Sequence, residues 1–304
     1  MRPCARLVHS AIFTCIMLAG LGIPADASHL RAWRELAAEG DAFAQHRIGL
    51  LYDCGGGVPQ DGKEAVRWYK LAAEQDYAPA LFSLGCAYEY AIGGQRNLAE
   101  AIAWYHRAAE LGDAEAQYRL AYMLLVPADA HYNPNAGLKW MQAAAKQGHA
   151  EAQHRMGIFL FKGILLKQDK EKALAWWLQS ARNGHAGAAY NAGFCYARGE
   201  AVPKNQQAAF DWFMLAARQG HSLAQIRTSG AYLIGRGTEI RLTESLKWYR
   251  LAMRDAKNDG LLRYGLVCLF GFACFCAVCL LLYDACTLAF CIVKLTRRTH
   301  DAAA

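Results

Sequence analysis

Residues 65–74 read Ala-Val-Arg-Trp-Tyr-Lys-Leu-Ala-Ala-Glu, and residues 101–110 read Ala-Ile-Ala-Trp-Tyr-His-Arg-Ala-Ala-Glu. The second stretch begins 36 residues after the first, and the same interval runs on through the chain. Trp68, Trp104, Trp140, Trp176, Trp212 and Trp248 keep it without insertion or deletion. A fixed period of this length, with one bulky aromatic per copy, marks an array of stacked supersecondary units. Other columns keep the same beat. Ala44, Ala80, Ala116, Ala152, Ala188 and Ala224 form one of them. The residue after the Trp is Tyr69, Tyr105, Met141, Trp177, Phe213 or Tyr249, and small residues follow at Ala72, Ala108, Ala144, Ser180, Ala216 and Ala252.

Each copy reads as two helices. In the second copy Ala80, Leu84, Ala87, Tyr88 and Ala91 recur at steps of three and four, and Ala101, Trp104, Tyr105 and Ala108 do the same. Between them, Asp61, Asn97, Asn133, Asp169 and Asn205 share one column. All are residues whose side-chain oxygen caps a first helical turn. Glu64 and Glu100, three residues later, complete a capping-box pattern, and Pro134 takes the first helical position. Arg241 breaks the column, so the last second helix is expected to start nearer Thr243. Gly40, Gly112, Gly148, Gly184 and Gly220 end the second helices in a left-handed turn, with Asp76 the exception. Ala44 and Gly49 let paired helices approach, and Trp68 with Tyr69 is expected to fill the space between pairs.

The runs at 44–52 (Ala-Gln-His-Arg-Ile-Gly-Leu-Leu-Tyr), 57–61 (Gly-Val-Pro-Gln-Asp) and 65–74 closely resemble the Sel-1-like repeat, a relative of the tetratricopeptide repeats. The resemblance covers residues 37–257 in six copies, with Trp33 to Gly40 similar to the second helix of a truncated leading copy. The third copy departs from the pattern, with Ala121 for the usual Gly and no Gly-Val-Pro loop. The sixth ends in Met253-Arg254 instead of Ala-Ala. The resemblance implies an all-α fold: a right-handed α-solenoid of six 36-residue helix pairs, followed here by a C-terminal transmembrane helix.

The ends of the chain set the expected topology. Arg2 and Arg6 precede an uncharged apolar stretch from Leu7 to Ile23, and Ala25-Asp26-Ala27 makes a small-residue cleavage site. Residues 1–27 therefore read as a secretory signal, with 28–257 the solenoid and 258–264 a juxtamembrane linker. Residues 265–283 carry no charge and are bracketed by Tyr264 and Tyr283, roughly 28 Å apart at about 1.5 Å per residue. They read as a membrane span, extending to residue 293 in a longer alternative. Residues 294–304, with Lys294, Arg297 and Arg298, then form a cytoplasmic tail. The shorter span leaves Asp284 at the interface; the longer one buries it in the membrane, where it would need a polar partner.

Charge is uneven. Residues 28–134 hold 9 basic and 14 acidic side chains, whereas residues 135–264 hold 19 and 9. A basic membrane-proximal half suits acidic headgroups or an acidic partner, and equally suits solvated helix faces. Nucleic acid is not an expected partner behind a signal peptide. Of eleven cysteines, six lie in Cys268–Cys291, and only Cys54, Cys86 and Cys195 fall in the solenoid. Three thiols make no disulfide framework, although Cys54 and Cys86 lie in adjacent copies and could pair. Cys286 and Cys291 suit palmitoylation near the cytoplasmic face. No Asn-Xaa-Ser/Thr sequon occurs.

No catalytic signature is present: no HExxH, phosphate loop, GxSxG or, in the solenoid, CxxC. Cys276 and Cys279 form a CxxC inside the apolar span. His149, His185 and His221 recur in one column as turn residues, about 10 Å apart and too distant to share a metal. Gly55-Gly56-Gly57 precedes Val58-Pro59 as a loop, not a nucleotide cradle. No catalytic, cofactor or metal site is therefore assigned. The expected function is a non-catalytic scaffold binding a protein or peptide on its concave first-helix face, with a membrane-embedded partner near Asp284 under the longer span. The resemblance to membrane-anchored Sel-1-like proteins implies a lumenal adaptor of ER-associated degradation, type I and single-pass. The alternative is a bacterial envelope protein with a host-interaction, penicillin-binding or β-lactamase-like role; relatives of that kind carry a regular cysteine pair per copy, which this chain lacks.

Overall fold

The computed structural model describes residues 27–127 and 130–255. Among them lie thirteen α-helices and no strand. The first, α1 (Ala27–Ala38), stands alone as the second helix of a leading half repeat. Six helix pairs follow, one per repeat: α2 (Ala42–Cys54) with α3 (Gly62–Ala73), then α4 (Ala78–Tyr90) with α5 (Leu98–Glu110). The third and fourth are α6 (Ala114–Leu124) with α7 (Pro134–Lys146), and α8 (Ala150–Lys162) with α9 (Lys170–Arg182). The fifth and sixth are α10 (Ala186–Arg198) with α11 (Gln206–Arg218), and α12 (Ser222–Ile234) with α13 (Leu242–Asp255). The chain forms two compact units, divided within α8 between Met156 and Gly157.

Local chemistry sets the helix boundaries. Asp61, Asn97, Asn133, Asp169 and Asn205 each accept a hydrogen bond from the backbone N–H three residues on, as the sequence pattern predicts. The reciprocal half of the capping box does not form. The backbone N–H groups of Asp61 and Asn97 donate instead to Tyr52 and Tyr88 oxygens of the preceding helix, both at 2.9 Å. Arg241 does the same to Tyr232 at 2.9 Å, and α13 starts at Leu242. The last pair therefore keeps the common register despite its lost cap, and the expected shift toward Thr243 is not seen. This backbone bond orients the second helix on the first, whichever side chain caps it. The boundary glycines all have positive φ, and Asp76 adopts the same left-handed turn at φ 53°.

Within each compact unit, consecutive helices pack on one another. The core column is not the Trp that defines the repeat but the residue after it. Tyr69, Tyr105, Met141, Trp177 and Phe213 are buried, whereas Trp68, Trp104, Trp140, Trp176 and Trp212 are half-buried and only Trp248 is buried. The buried aromatic rests on the glycine of its partner helix. A Cβ at Gly49 or Gly85 would come within 2.5 Å of the Tyr69 or Tyr105 ring. The third repeat has Ala121 in that glycine column and the slimmer Met141 in the aromatic column, so its two departures are one packing solution. Gly137 stands there where the other repeats carry Ala or Ser, and a Cβ on it would meet Leu125 Cγ at 2.7 Å.

Among the described residues no helix is long and apolar enough to cross a membrane. Residues 1–26 of the expected signal 1–27, the expected linker 258–264, the expected span 265–283 with its extension to 293, Asp284 and the 294–304 tail lie outside the described residues.

Candidate functional site

The first helices α2, α6, α8 and α12 share an arginine column, Arg47, Arg119, Arg155 and Arg227, which the sequence analysis did not single out. In the first compact unit these arginines lie against aromatic rings and acids. The Arg47 guanidinium sits 5.4 Å from the Trp33 ring centre and 5.5 Å from that of Phe43. Arg155 lies 5.9 Å from the Tyr122 ring and pairs with Glu151 at 2.9 Å. Phe43 and Tyr122 are about half exposed, at 51% and 49%. A cation over a ring face is attracted by its quadrupole, so each arginine also orders an aromatic at the surface.

Arg119 anchors a wider network. Its guanidinium donates to Glu115 Oε1 at 3.1 Å and to the Tyr90 hydroxyl at 2.9 Å. His149 Nε2 donates to the second Glu115 oxygen at 2.8 Å, and its ring stacks on Tyr118 at 4.6 Å. Burial alone would raise the Glu115 carboxyl, but the bonds from His149 and Arg119 outweigh it and hold the group below its usual range. Burial, then the nearby Glu151, pushes Tyr118 up to about 12. The network is therefore a charged, hydrogen-bonded surface.

The histidine column has a structural office. Nδ1 of His149, His185 and His221 accepts the backbone N–H of Ala152, Ala188 and Ala224 at 3.0–3.2 Å, so each ring caps its first helix. Asp41 and Asp113 do the same with a carboxylate. Three cysteines fall among the described residues. Cys54, Cys86 and Cys195 are free thiols, so Cys54 and Cys86 do not pair. Burial pushes Cys86 up to about 12 and Cys195 up to about 11, which leaves both as small apolar fillers. Gly55 and Gly57 take positive φ in the loop read as a turn from the sequence.

In the second compact unit Arg198 lies 4.2 Å over the Phe194 ring, and Tyr190 stacks on His221 at 4.8 Å. Both units thus present arginines set on aromatics, the side chains that dominate the energetics of protein interfaces. A repeated Arg at one column was the signal available in the sequence; its pairing with rings and acids needed the fold.

The Sel1 repeat matches residues 42–77, 78–113, 114–149, 150–185, 186–221 and 222–254, and the chain belongs to this family. Sel1 repeat proteins are in general scaffolds for protein interaction and not enzymes. Solved structures that resemble the chain include two at about 30% identity. One is c5321, a protective antigen present in uropathogenic Escherichia coli strains, at 29% identity and a TM-score of 0.72, covering 80% of this chain and 52% of its own. This chain thus matches about half the length of that antigen. The other is a Sel1 repeat protein from Oxalobacter formigenes, at 30% identity and a TM-score of 0.67, covering 72% of this chain and 89% of its own. A comparison with curated proteins finds no match.

Proposed function

We propose that this Sel1 repeat protein is a non-catalytic scaffold that binds a protein or peptide through its first-helix faces. The observation that carries the reading is the arginine-on-aromatic surface, with Phe43 and Tyr122 half exposed and held in place by Arg47 and Arg155. Preordered aromatics lose little side-chain freedom on binding, and that favours their use as anchors. The sequence of the end segments supports a scaffold working outside the cytosol, released from a signal at 1–27 and held by a span at 265–283, with residues 294–304 inside.

Two settings suit that topology. A lumenal adaptor of ER-associated degradation follows from the resemblance to membrane-anchored Sel-1-like proteins. The bacterial envelope is the other, and the bacterial origin of two resembling structures, at 29% and 30% identity, supports a bacterial source. The three free thiols speak against the cysteine-paired, β-lactamase-like variant of that setting. Proximity labelling from the solenoid in the source cell, comparing the native chain with Tyr122→Ala/Phe43→Ala, tests the scaffold reading. Loss of specific labelled proteins with helix content unchanged is expected. An identical labelled set from both chains would overturn it.

A further inference from the structure

The first helices of the second compact unit carry charge of one sign. Residues 157–255 hold 14 basic and 7 acidic side chains, and none of the acids falls on Gly157–Lys162 of α8, on α10 or on α12. The charged residues of those three segments are Lys162, Arg198 and Arg227. In α6 and α8 the column arginines are neutralised from within, because Glu115 and Glu151 stand four residues earlier and pair with Arg119 and Arg155 at 3.1 and 2.9 Å. In α12 that earlier place holds Leu223, 41% exposed. Among the described residues no acid lies within ion-pair distance of Arg227 or of Lys162. Arg198 lies 4.2 Å over the Phe194 ring and reaches Glu200 only at 3.9 Å, while that carboxylate is held by Lys170 at 2.7 Å. The positive charge of this face is thus not cancelled by the unit itself, and it favours a negatively charged ligand.

An apolar recess sits beside these cations. Gly230 takes the column that holds Tyr122, Ile158 and Phe194 in earlier copies, and a Cβ on it would meet no atom within 4 Å. On α12 it is flanked by Arg227, three residues before, and by Ile234, four residues after and 57% exposed. We infer that this face takes an acidic peptide segment, with an apolar side chain of the partner seated over Gly230 and its carboxylates on Arg227, Arg198 and Lys162. The inference rests on the scaffold reading above and names the class of partner for the second compact unit. Three cations on three successive first helices exceed what one chain terminus can meet, so the carboxylates belong to side chains of an internal segment. A nucleic acid suits the face less well, because Arg198 covers the Phe194 ring on which a base would stack.

Peptides of random sequence, displayed with both ends joined to a carrier protein, can be selected on the full-length chain. The enriched peptides should combine glutamate or aspartate with leucine, isoleucine or phenylalanine. Synthesised with acetylated and amidated ends, they should bind at least about tenfold more tightly than versions with glutamine and asparagine in place of the acids, and the difference should shrink as salt rises. Arg227→Glu should remove that preference. Gly230→Phe, at a helical site with open space around it, should weaken the acidic and the neutral peptides alike. Circular dichroism should show the helix content of both variants unchanged. Equal affinity for the acidic and neutral peptides, or a preference that survives Arg227→Glu combined with Arg198→Glu, overturns the inference and leaves the scaffold reading standing. Displacement of the acidic peptide by an equal concentration of single-stranded DNA overturns it in the same way. Failure to enrich any peptide overturns both.

Discussion

At the scale of single residues, Tyr105 and its neighbour Trp104 separate conspicuousness from burial. Tyr105 is wholly buried over Gly85 and donates its hydroxyl to Glu89 at 2.7 Å, while Trp104 is half-buried beneath Arg107. Tyr105→Ala should therefore cost roughly 3–5 kcal/mol, and Trp104→Ala clearly less. Urea unfolding of both variants checks the order. His46 carries the pH dependence of the first repeat. Burial, with a smaller contribution from Arg47, lowers its pKa from 6.5 to about 4. A base with a depressed folded pKa is protonated preferentially in the unfolded chain, so its penalty is absent above pH 6.5 and grows as pH falls toward 4. The loss reaches about 3 kcal/mol at most. Comparing urea midpoints at pH 7 and pH 4.5 should show a drop for the native chain that His46→Phe reduces.

At the scale of the element, a glutamine pair holds the first and third repeats to their surroundings. Gln117 donates to the Ala109 oxygen at 3.1 Å and accepts from Gln147 at 2.8 Å, while Gln147 also donates to the Gly112 oxygen at 3.0 Å. Gln45 and Gln75 repeat the arrangement around Ala37 and Gly40. The second repeat replaces both partners, with Leu81 and Leu111 in the same two columns. Losing one partner strands buried polar atoms, whereas replacing both removes the demand. Gln117→Leu alone should cost about 1–3 kcal/mol, and the double variant Gln117→Leu/Gln147→Leu should recover part of that loss. A double-mutant cycle by chemical unfolding measures the coupling; additive losses would show that the pair does not act as a unit.

At the scale of the whole molecule, the consequence of stacking is locality. Within each compact unit consecutive helices pack on one another, so damage in one repeat should spread little beyond the adjoining pair. The proposed topology rests on the sequence of the segments before residue 27 and after residue 255. The sequence expectation is a mature chain beginning at Ser28, with the solenoid shielded from proteases added on the cytosolic side of intact membranes. N-terminal sequencing and protease protection on sealed vesicles check both statements. Retention of Met1, or digestion of the solenoid from the cytosolic side, would contradict them.

The period, the pairing of helices and their boundaries were legible in the chain because they depend on short-range chemistry. Asn97 caps Glu100, and Gly112 turns left-handed, whatever lies across the groove. Which aromatic enters the core was not legible. Trp104 and Tyr105 are adjacent, lie about 100° apart around one helix, and are both large and apolar enough to be buried. Only the crossing of α4 and α5, which sets Gly85 beneath Tyr105, makes the choice. The same holds for the surface. Arg119 and Glu115 stand four residues apart on α6 and meet by local helix geometry, but Tyr90 and His149 lie 59 positions apart, and no local rule brings both to that pair. Hydrogen bonds within a turn are written in neighbouring residues, whereas packing and ion networks depend on distances that exist only once the helices have stacked.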